Sequence, residues 1–318
     1  QLLHAMGTRL ARSCSLAELF MSPTVEDIAS LIDSKPRSNS IVVPLQSGAA
    51  DEAPLFLIHP VGGQVSVYLE LARALGTRMP VFAVQAGASD AQYGSLDELA
   101  DRYAKAIIDT WPGGPYRLAG WSSGGIFAMA VAARLEQRNA QLAYLGLIDT
   151  GLPRRALRPD DAMLAAQLTS IAALRGKRIT EDERAAVSQL MQRAGTSDSW
   201  FAFPYDDPEV MTLLNDAFGT NFTNETFTAF QQQVAAAAGH LSLLGEFDML
   251  PLSVSIHLVW SDGSINRSRY AEDFSRTLTV SDEVVVDGDH YAMLKGPHVV
   301  TLAQALLSAI ANLQLTGS

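Results

Sequence analysis

Gly120-Trp121-Ser122-Ser123-Gly124 is the segment that most narrows what this chain can become. It ends an apolar run, Tyr116 to Trp121, and opens a second apolar stretch with Ile126, Phe127, Met129 and Ala130. A strand that turns directly into a helix brings two backbones together at the turn, and residues without a Cβ permit that approach. The residue between the glycines is lifted onto a tight apex at the helix N-terminus, where free N–H groups and the helix dipole stabilise negative charge. A serine at that apex, Ser122, has the position of a nucleophile, and Ser123 after it offers a backbone N–H. The plain alternative is a glycine-rich turn that serves only close helix–strand packing.

The flanking sequence supplies the context the turn needs. Strands are expected at Leu55 to His59, Val81 to Val84, Tyr116 to Trp121, Leu142 to Ile148, Val254 to Trp260 and Val284 to Val286. Helices are expected at Tyr68 to Leu75, Leu96 to Trp111 (opened by Ser95, with Glu98 at the capping-box position), Gly124 to Leu135 and Val299 to Leu313. Short apolar strands alternating with amphipathic helices predict a mostly parallel sheet covered by helices, an α/β fold. From 151 to 249 the alternation stops and only helical patterns follow, which reads as a helical lid inserted between two strands. Its aromatic residues Trp200, Phe201, Phe203 and Phe218 are candidates to line a channel or to pack a core.

The first 36 residues differ in texture, with Leu2, Leu3, Met6 and Leu10 at helical spacing and a second amphipathic helix from Val25 to Ile32 started by Pro23 and Thr24. Residues 37–52 read as a linker with one embedded strand, Ile41 to Leu45. The body of the domain is expected over 53–318.

Composition closes off other classes. The chain is 48% apolar and 18% charged over 318 residues, too apolar for a disordered segment. A net charge of −11 disfavours nucleic acid and anionic membrane surfaces as partners. No apolar run is long enough to span a bilayer, and the start lacks the pattern of an export signal, so a soluble, cytoplasmic protein is expected. The single cysteine, Cys14, excludes an intrachain disulfide and a cysteine-based metal cluster, and no metal is expected.

Among six histidines, His290 comes directly after the last strand, following Val284-Val285-Val286-Asp287-Gly288-Asp289. A Ser…acid…His order with the histidine after the last strand selects it as the base. His257 sits inside an apolar strand and reads as a core residue; His298 reads as a helix cap. Two aspartates compete for the acid, since both end strands between Ser122 and His290: Asp149 after Leu145 to Ile148, and Asp262 after Leu258 to Ser261. His59-Pro60-Val61-Gly62-Gly63 follows the first core strand, in the place of the loop that lends a second oxyanion N–H, so Val61 joins Ser123 as an expected donor.

Taken together, Pro54-Leu55-Phe56-Leu57-Ile58-His59-Pro60, Gly120-Trp121-Ser122-Ser123-Gly124-Gly125, Leu147-Ile148-Asp149-Thr150 and Gly288-Asp289-His290-Tyr291-Ala292-Met293-Leu294 resemble the terminal (type I) thioesterase domains of nonribosomal peptide synthetases and related hybrid assembly lines, from about Pro44 to Leu313. The resemblance implies an α/β-hydrolase fold, and it implies Asp149 as the acid, because in that family the acid follows the strand after the nucleophile's helix. Leu16 to Ile32 resembles the closing helices of acyl or peptidyl carrier domains. This implies that residues 1–36 are the end of a carrier whose phosphopantetheine-bearing serine lies upstream of Gln1; Ser13 and Ser15 are wrongly placed to replace it. The implied activity is release of a peptidyl or acyl chain from the adjacent carrier through an acyl-Ser122 intermediate, by hydrolysis or macrocyclisation, with no cofactor in the thioesterase domain itself. A stand-alone serine esterase or lipase-like hydrolase and a non-catalytic interaction module on the same fold are the alternatives.

Overall fold

Seven strands form one sheet in the order β1-β3-β2-β4-β5-β6-β7. A computed structural model describes residues 41–87, 93–152, 239–264 and 267–316, with positions 24–26, 28, 29, 180, 182, 185, 212, 215 and 216. The strands are β1 (Val42–Gln46), β2 (Leu55–Ile58), β3 (Val81–Val84), β4 (Tyr116–Trp121), β5 (Leu142–Ile148), β6 (Ile256–Ser261) and β7 (Val280–Val286). The helices among the described residues are α1 (Leu69–Leu75), α2 (Leu96–Thr110), α3 (Ser123–Gln137), α4 (Arg267–Ser275) and α5 (Val299–Thr316).

The expected mostly parallel α/β sheet is present. All neighbouring pairs from β3 through β7 are parallel, and β1 alone runs antiparallel, against β3. That strand lies within the stretch expected to be a linker and forms the edge of the sheet. β2, β4 and β6 are buried along their whole lengths, as parallel strands covered on both faces must be. The outer strand β7 starts four residues before its expected position, because Val280 to Glu283 lies at an exposed edge and carries no apolar run. Helix α4 was not expected. It is polar, with Phe274 its one buried residue, so its sequence shows no apolar stripe.

The chain leaves β2 toward β3 on one side and returns to β4 on the other. The carboxyl ends of β2 and β4 therefore border the point where strand order reverses, the place where open α/β sheets bind ligands. Helix α1 packs on α5 and α2 on α3. At the start of α2, Ser95 Oγ accepts from the Glu98 N–H at 3.2 Å, and the Glu98 carboxylate reaches back one residue further than a capping box requires, to the Gly94 N–H at 3.0 Å.

The chain divides into two compact units, 1–153 with 246–318, and 154–245. The second corresponds closely to the segment expected as a lid. Its described positions 182, 185, 212, 215, 216 and 239–244 are helical. The aromatic residues Trp200, Phe201, Phe203 and Phe218 lie outside the described residues, as do nearly all of residues 1–36. At the few described positions there, the Ile28 N–H bonds the Thr24 carbonyl at 3.0 Å, a helical turn where the second N-terminal helix was expected to begin. No helix among the described residues is long and apolar enough to cross a membrane.

Candidate active site

The turn after β4 shows why the glycines are needed. A Cβ on Gly120 would overlap the backbone of Gly124 and Gly125; one on Gly124 would lie 2.5 Å from the Ile58 carbonyl oxygen; one on Gly125 would overlap Thr150. Helix α3 is thus seated directly on the ends of β2, β4 and β5. Ser122 stands at the apex with φ 57° and ψ −130°, in a region that costs a non-glycine residue about 1–3 kcal/mol. The Ser122 N–H donates to the Ile148 carbonyl at 2.8 Å, which ties the apex to β5.

Tyr68 completes the support. Its fully buried hydroxyl donates to the Ile58 carbonyl at 2.6 Å and accepts from the Trp121 N–H at 2.9 Å, bridging β2 and β4 where they diverge. Burial raises its pKa far above the ordinary phenol value, so it stays protonated.

Asp149, expected as the acid, is the residue after β5. Asp149 has φ 44°, which turns its side chain out of the strand direction, and its N–H bonds the Val259 carbonyl at 2.6 Å. Its Oδ2 accepts from His290 Nδ1 at 2.6 Å and from Ser261 Oγ at 3.0 Å, and its Oδ1 accepts from the Ser261 N–H at 3.2 Å. Burial pushes the Asp149 carboxyl up, but the hydrogen bond and charge of His290, with both Ser261 donors, outweigh it and hold the group below its ordinary value. Because Nδ1 faces a carboxylate it carries a proton, which leaves Nε2 as the acceptor a base requires.

The other candidate, Asp262, is exposed one position beyond β6, and its N–H bonds the Val286 carbonyl. It does not meet His290. The serine just before it, Ser261, is the site residue that sequence reasoning missed. A lone serine at a strand end carries no pattern.

His290 is held from several directions. Gly288 has φ 100°, a conformation that favours glycine. The Asp289 carboxylate accepts from the N–H groups of Tyr291 and Ala292 at 2.9 and 2.7 Å, which starts the short helical turn Ala292–Leu294. The imidazole stacks on Trp121 with ring centroids 4.6 Å apart, and Trp121 Nε1 donates to the His290 carbonyl at 2.9 Å. Trp121, the residue before Ser122, thereby fixes the loop that carries His290. Ser122 Oγ makes no hydrogen bond among the described residues.

Val61 lies in the loop after β2, as expected. Its N–H donates to Ser123 Oγ at 2.7 Å. Of the remaining histidines, His257 is buried with Nδ1 on the Tyr144 hydroxyl at 2.8 Å, as expected of a core residue, and desolvation lowers its pKa against the opposing pull of Asp282. The backbone carbonyl of His298 accepts from Thr301 and Leu302 at the start of α5. No group of three or more potential metal ligands exists among the described residues.

The fold is that of the α/β-hydrolases, with Ser122 at the turn after β4 and Asp149, after β5, bonded to His290. Residues 53–199 match the family model of the thioesterase domain. The chain is 33% identical over 143 residues to an atromentin synthetase of Tapinella panuoides, covering 42% of this chain and 15% of that protein. It is 32% identical over 177 residues to a dimodular nonribosomal peptide synthase of Bacillus subtilis, covering 53% of this chain and 7% of that protein. The chain thus spans a small fraction of the length of these relatives. In structure it resembles a four-domain nonribosomal peptide synthetase bound to AMP and glycine (TM-score 0.61, 24% identity, 97% of this chain and 23% of that one). It also resembles the Vlm2 thioesterase domain (TM-score 0.55, 22% identity, 84% of this chain and 96% of that one).

Proposed function

We propose that this domain releases a peptidyl or acyl chain from the phosphopantetheine thioester of a carrier domain, through an acyl-Ser122 intermediate. The observation that carries the proposal is the Asp149–His290 contact beside the strained Ser122, with Ser122 and Asp149 inside the segment 53–199 that matches the thioesterase family. The multidomain relatives support a carrier-borne substrate. In the first step His290 Nε2 takes the Ser122 proton while Asp149 stabilises the imidazolium. Ser122 Oγ bonds to the thioester carbonyl carbon, and the oxyanion forms beside Ser123 and the Val61 loop. The C–S bond then breaks, and the thiolate leaves with the proton from His290. In the second step His290 deprotonates either water or an amine or hydroxyl of the bound chain, which attacks the acyl carbon; the C–Oγ ester bond to Ser122 breaks, His290 returns the proton to Ser122 Oγ, and a free acid, macrolactam or macrolactone leaves.

The same proposal takes residues 1–36 as the last helices of the partner carrier, 37–52 as a connection and 151–249 as a lid that sets the choice between water and an internal nucleophile. The thioesterase domain itself needs no cofactor in this scheme, and the setting is cytoplasmic.

Incubation with a pantetheine-linked acyl thioester should add the acyl mass to the peptide containing Ser122, and Ser122→Ala should abolish that adduct. An adduct that persists in Ser122→Ala overturns the proposal. A simple ester processed with higher kcat/KM than the carrier-bound thioester would favour the esterase alternative.

A further inference from the structure

The oxyanion loop after β2 is joined to the nucleophile's helix by a chain of hydrogen bonds that runs in one direction. His59 is fully buried at the end of β2. Its Nδ1 lies 2.8 Å from the Pro60 carbonyl oxygen and its Nε2 lies 2.6 Å from the Tyr103 hydroxyl on α2. A carbonyl only accepts, so Nδ1 donates to Pro60; with Nε2 unprotonated, that nitrogen accepts from the Tyr103 O–H. The ring is wedged edge-on to Tyr103, with centroids 5.4 Å apart, and against Phe127 of α3 at 4.9 Å.

The His59–Pro60 contact, together with the Gly63 N–H that also bonds the Pro60 carbonyl at 3.0 Å, sets the plane of the 60–61 peptide. With the Pro60 carbonyl held by His59, the N–H on the opposite side of the same trans peptide must point away from it, and it meets Ser123 Oγ at 2.7 Å. That distance is short for an N–H···O bond. The amide cannot swing toward a substrate without giving up the His59 bond. The Ser123 hydroxyl is free to turn: Val61 N–H is its one partner among the described residues, and accepting that bond leaves the hydroxyl proton available. The hydroxyl also belongs to the first residue of α3, whose own N–H has no acceptor within the helix.

We propose that the Ser123 side-chain hydroxyl is an oxyanion donor, polarised by the relay Tyr103 O–H to His59, His59 N–H to the Pro60 carbonyl, and Val61 N–H to Ser123 Oγ. Ser123 then supplies two donors, its N–H and its O–H. Val61, expected from the sequence to contact the oxyanion directly, acts through the hydroxyl. Each bond in the chain polarises the next in the same sense, so the terminal O–H becomes a stronger donor than an isolated serine. Tyr103 and His59 are positioning residues in this scheme. The inference rests on Ser122 being the nucleophile, as proposed above.

The test measures the second-order rate at which a fluorophosphonate modifies Ser122, a reaction whose phosphoryl oxygen occupies the oxyanion position and which needs no thioester. Ser123→Ala should slow modification by roughly 10- to 100-fold, somewhat less than the loss of a backbone-fixed donor, because the Ser123 N–H stays in place. Ser123→Thr, which keeps the hydroxyl, should stay within about threefold of the parent. Tyr103→Phe should slow it about two- to fivefold, and with a pantetheine thioester its loss should fall on kcat with KM unchanged. Ser123→Ala reacting as fast as the parent, or faster, would overturn the relay, since the hydroxyl would then merely obstruct Val61. A parent enzyme that is not modified at Ser122 at all removes the nucleophile, and the relay falls with it.

Discussion

At the scale of single residues, the site depends on charge being held without water. Asp149 is 8% exposed, yet it stays ionised because three donors face it, one of them the His290 ring. Ser261 contributes two of the three, and a hydrogen bond to a charged group is worth about 1.5–3 kcal/mol. Ser261→Ala should therefore lower kcat/KM several-fold, with Ser261→Thr restoring most of it. It also carries a pH signature. A carboxyl whose folded pKa is depressed stabilises the fold above its ordinary value, 3.8 here, and that contribution disappears as pH falls through the folded value. Removing the Ser261 hydroxyl raises the folded value, so acid unfolding of Ser261→Ala should begin at higher pH than that of the parent. Thermal melts between about pH 2 and pH 5 read this directly. Coincident acid limbs would mean that Ser261 does not hold the Asp149 charge.

At the scale of elements, the reactive turn is a junction of β2, β4, β5 and α3 more than a property of its own loop. Tyr68 precedes α1, far from the turn in sequence, yet it satisfies the Ile58 carbonyl and the Trp121 N–H at once. Tyr68→Phe leaves both buried groups without that partner, at about 1–3 kcal/mol each. A fall in melting temperature accompanied by a lower kcat, with Ser122 still in place, is the expected result; an unchanged melt would show that the two strands need no bridge. The glycines make the same point by contact. Gly124 is required by its approach to the Ile58 carbonyl, so the G-x-S-x-G pattern records packing between elements as much as the chemistry of serine.

At the scale of the whole molecule, every described residue of the candidate site belongs to the unit formed by 1–153 and 246–318. Its sheet and helices carry Ser122, Asp149, Ser261, His290 and the loop of Val61, and Glu136 on α3 accepts from the N–H groups of Ser253 and Val254 where the chain re-enters β6, at 2.9 to 3.0 Å. The contacts described among Trp121, Asp149, Ser261 and His290 all lie within that unit. Exchanging that segment for the corresponding segment of another thioesterase domain should preserve fluorophosphonate modification of Ser122 and change the ratio of hydrolysed to cyclised product, measured by mass spectrometry. Loss of modification in a folded exchange variant would show that the second unit supplies part of the reactive centre.

Much of this was legible in the chain. The bounds of β3, β4 and β5 follow from apolar runs between turn residues, and the place of Ser122 follows from glycines at fixed spacing. These are local signals, set by sterics and burial over a few residues. Helix α4 and the start of β7 were illegible because their residues face solvent and carry no apolar period. The choice between Asp149 and Asp262 was open in residue order, because both end a parallel strand at the same edge. By itself the sequence determined the alternation that builds the sheet, a serine raised at a strand–helix turn, and a histidine after the last strand. The tertiary structure alone decided which aspartate meets His290 across 141 residues, that Ser261 joins it across 112, and that Val61 meets the Ser123 hydroxyl across 62. Those contacts come from strand order and the direction of a few turns, and no local pattern encodes the distance between residues that the fold brings together.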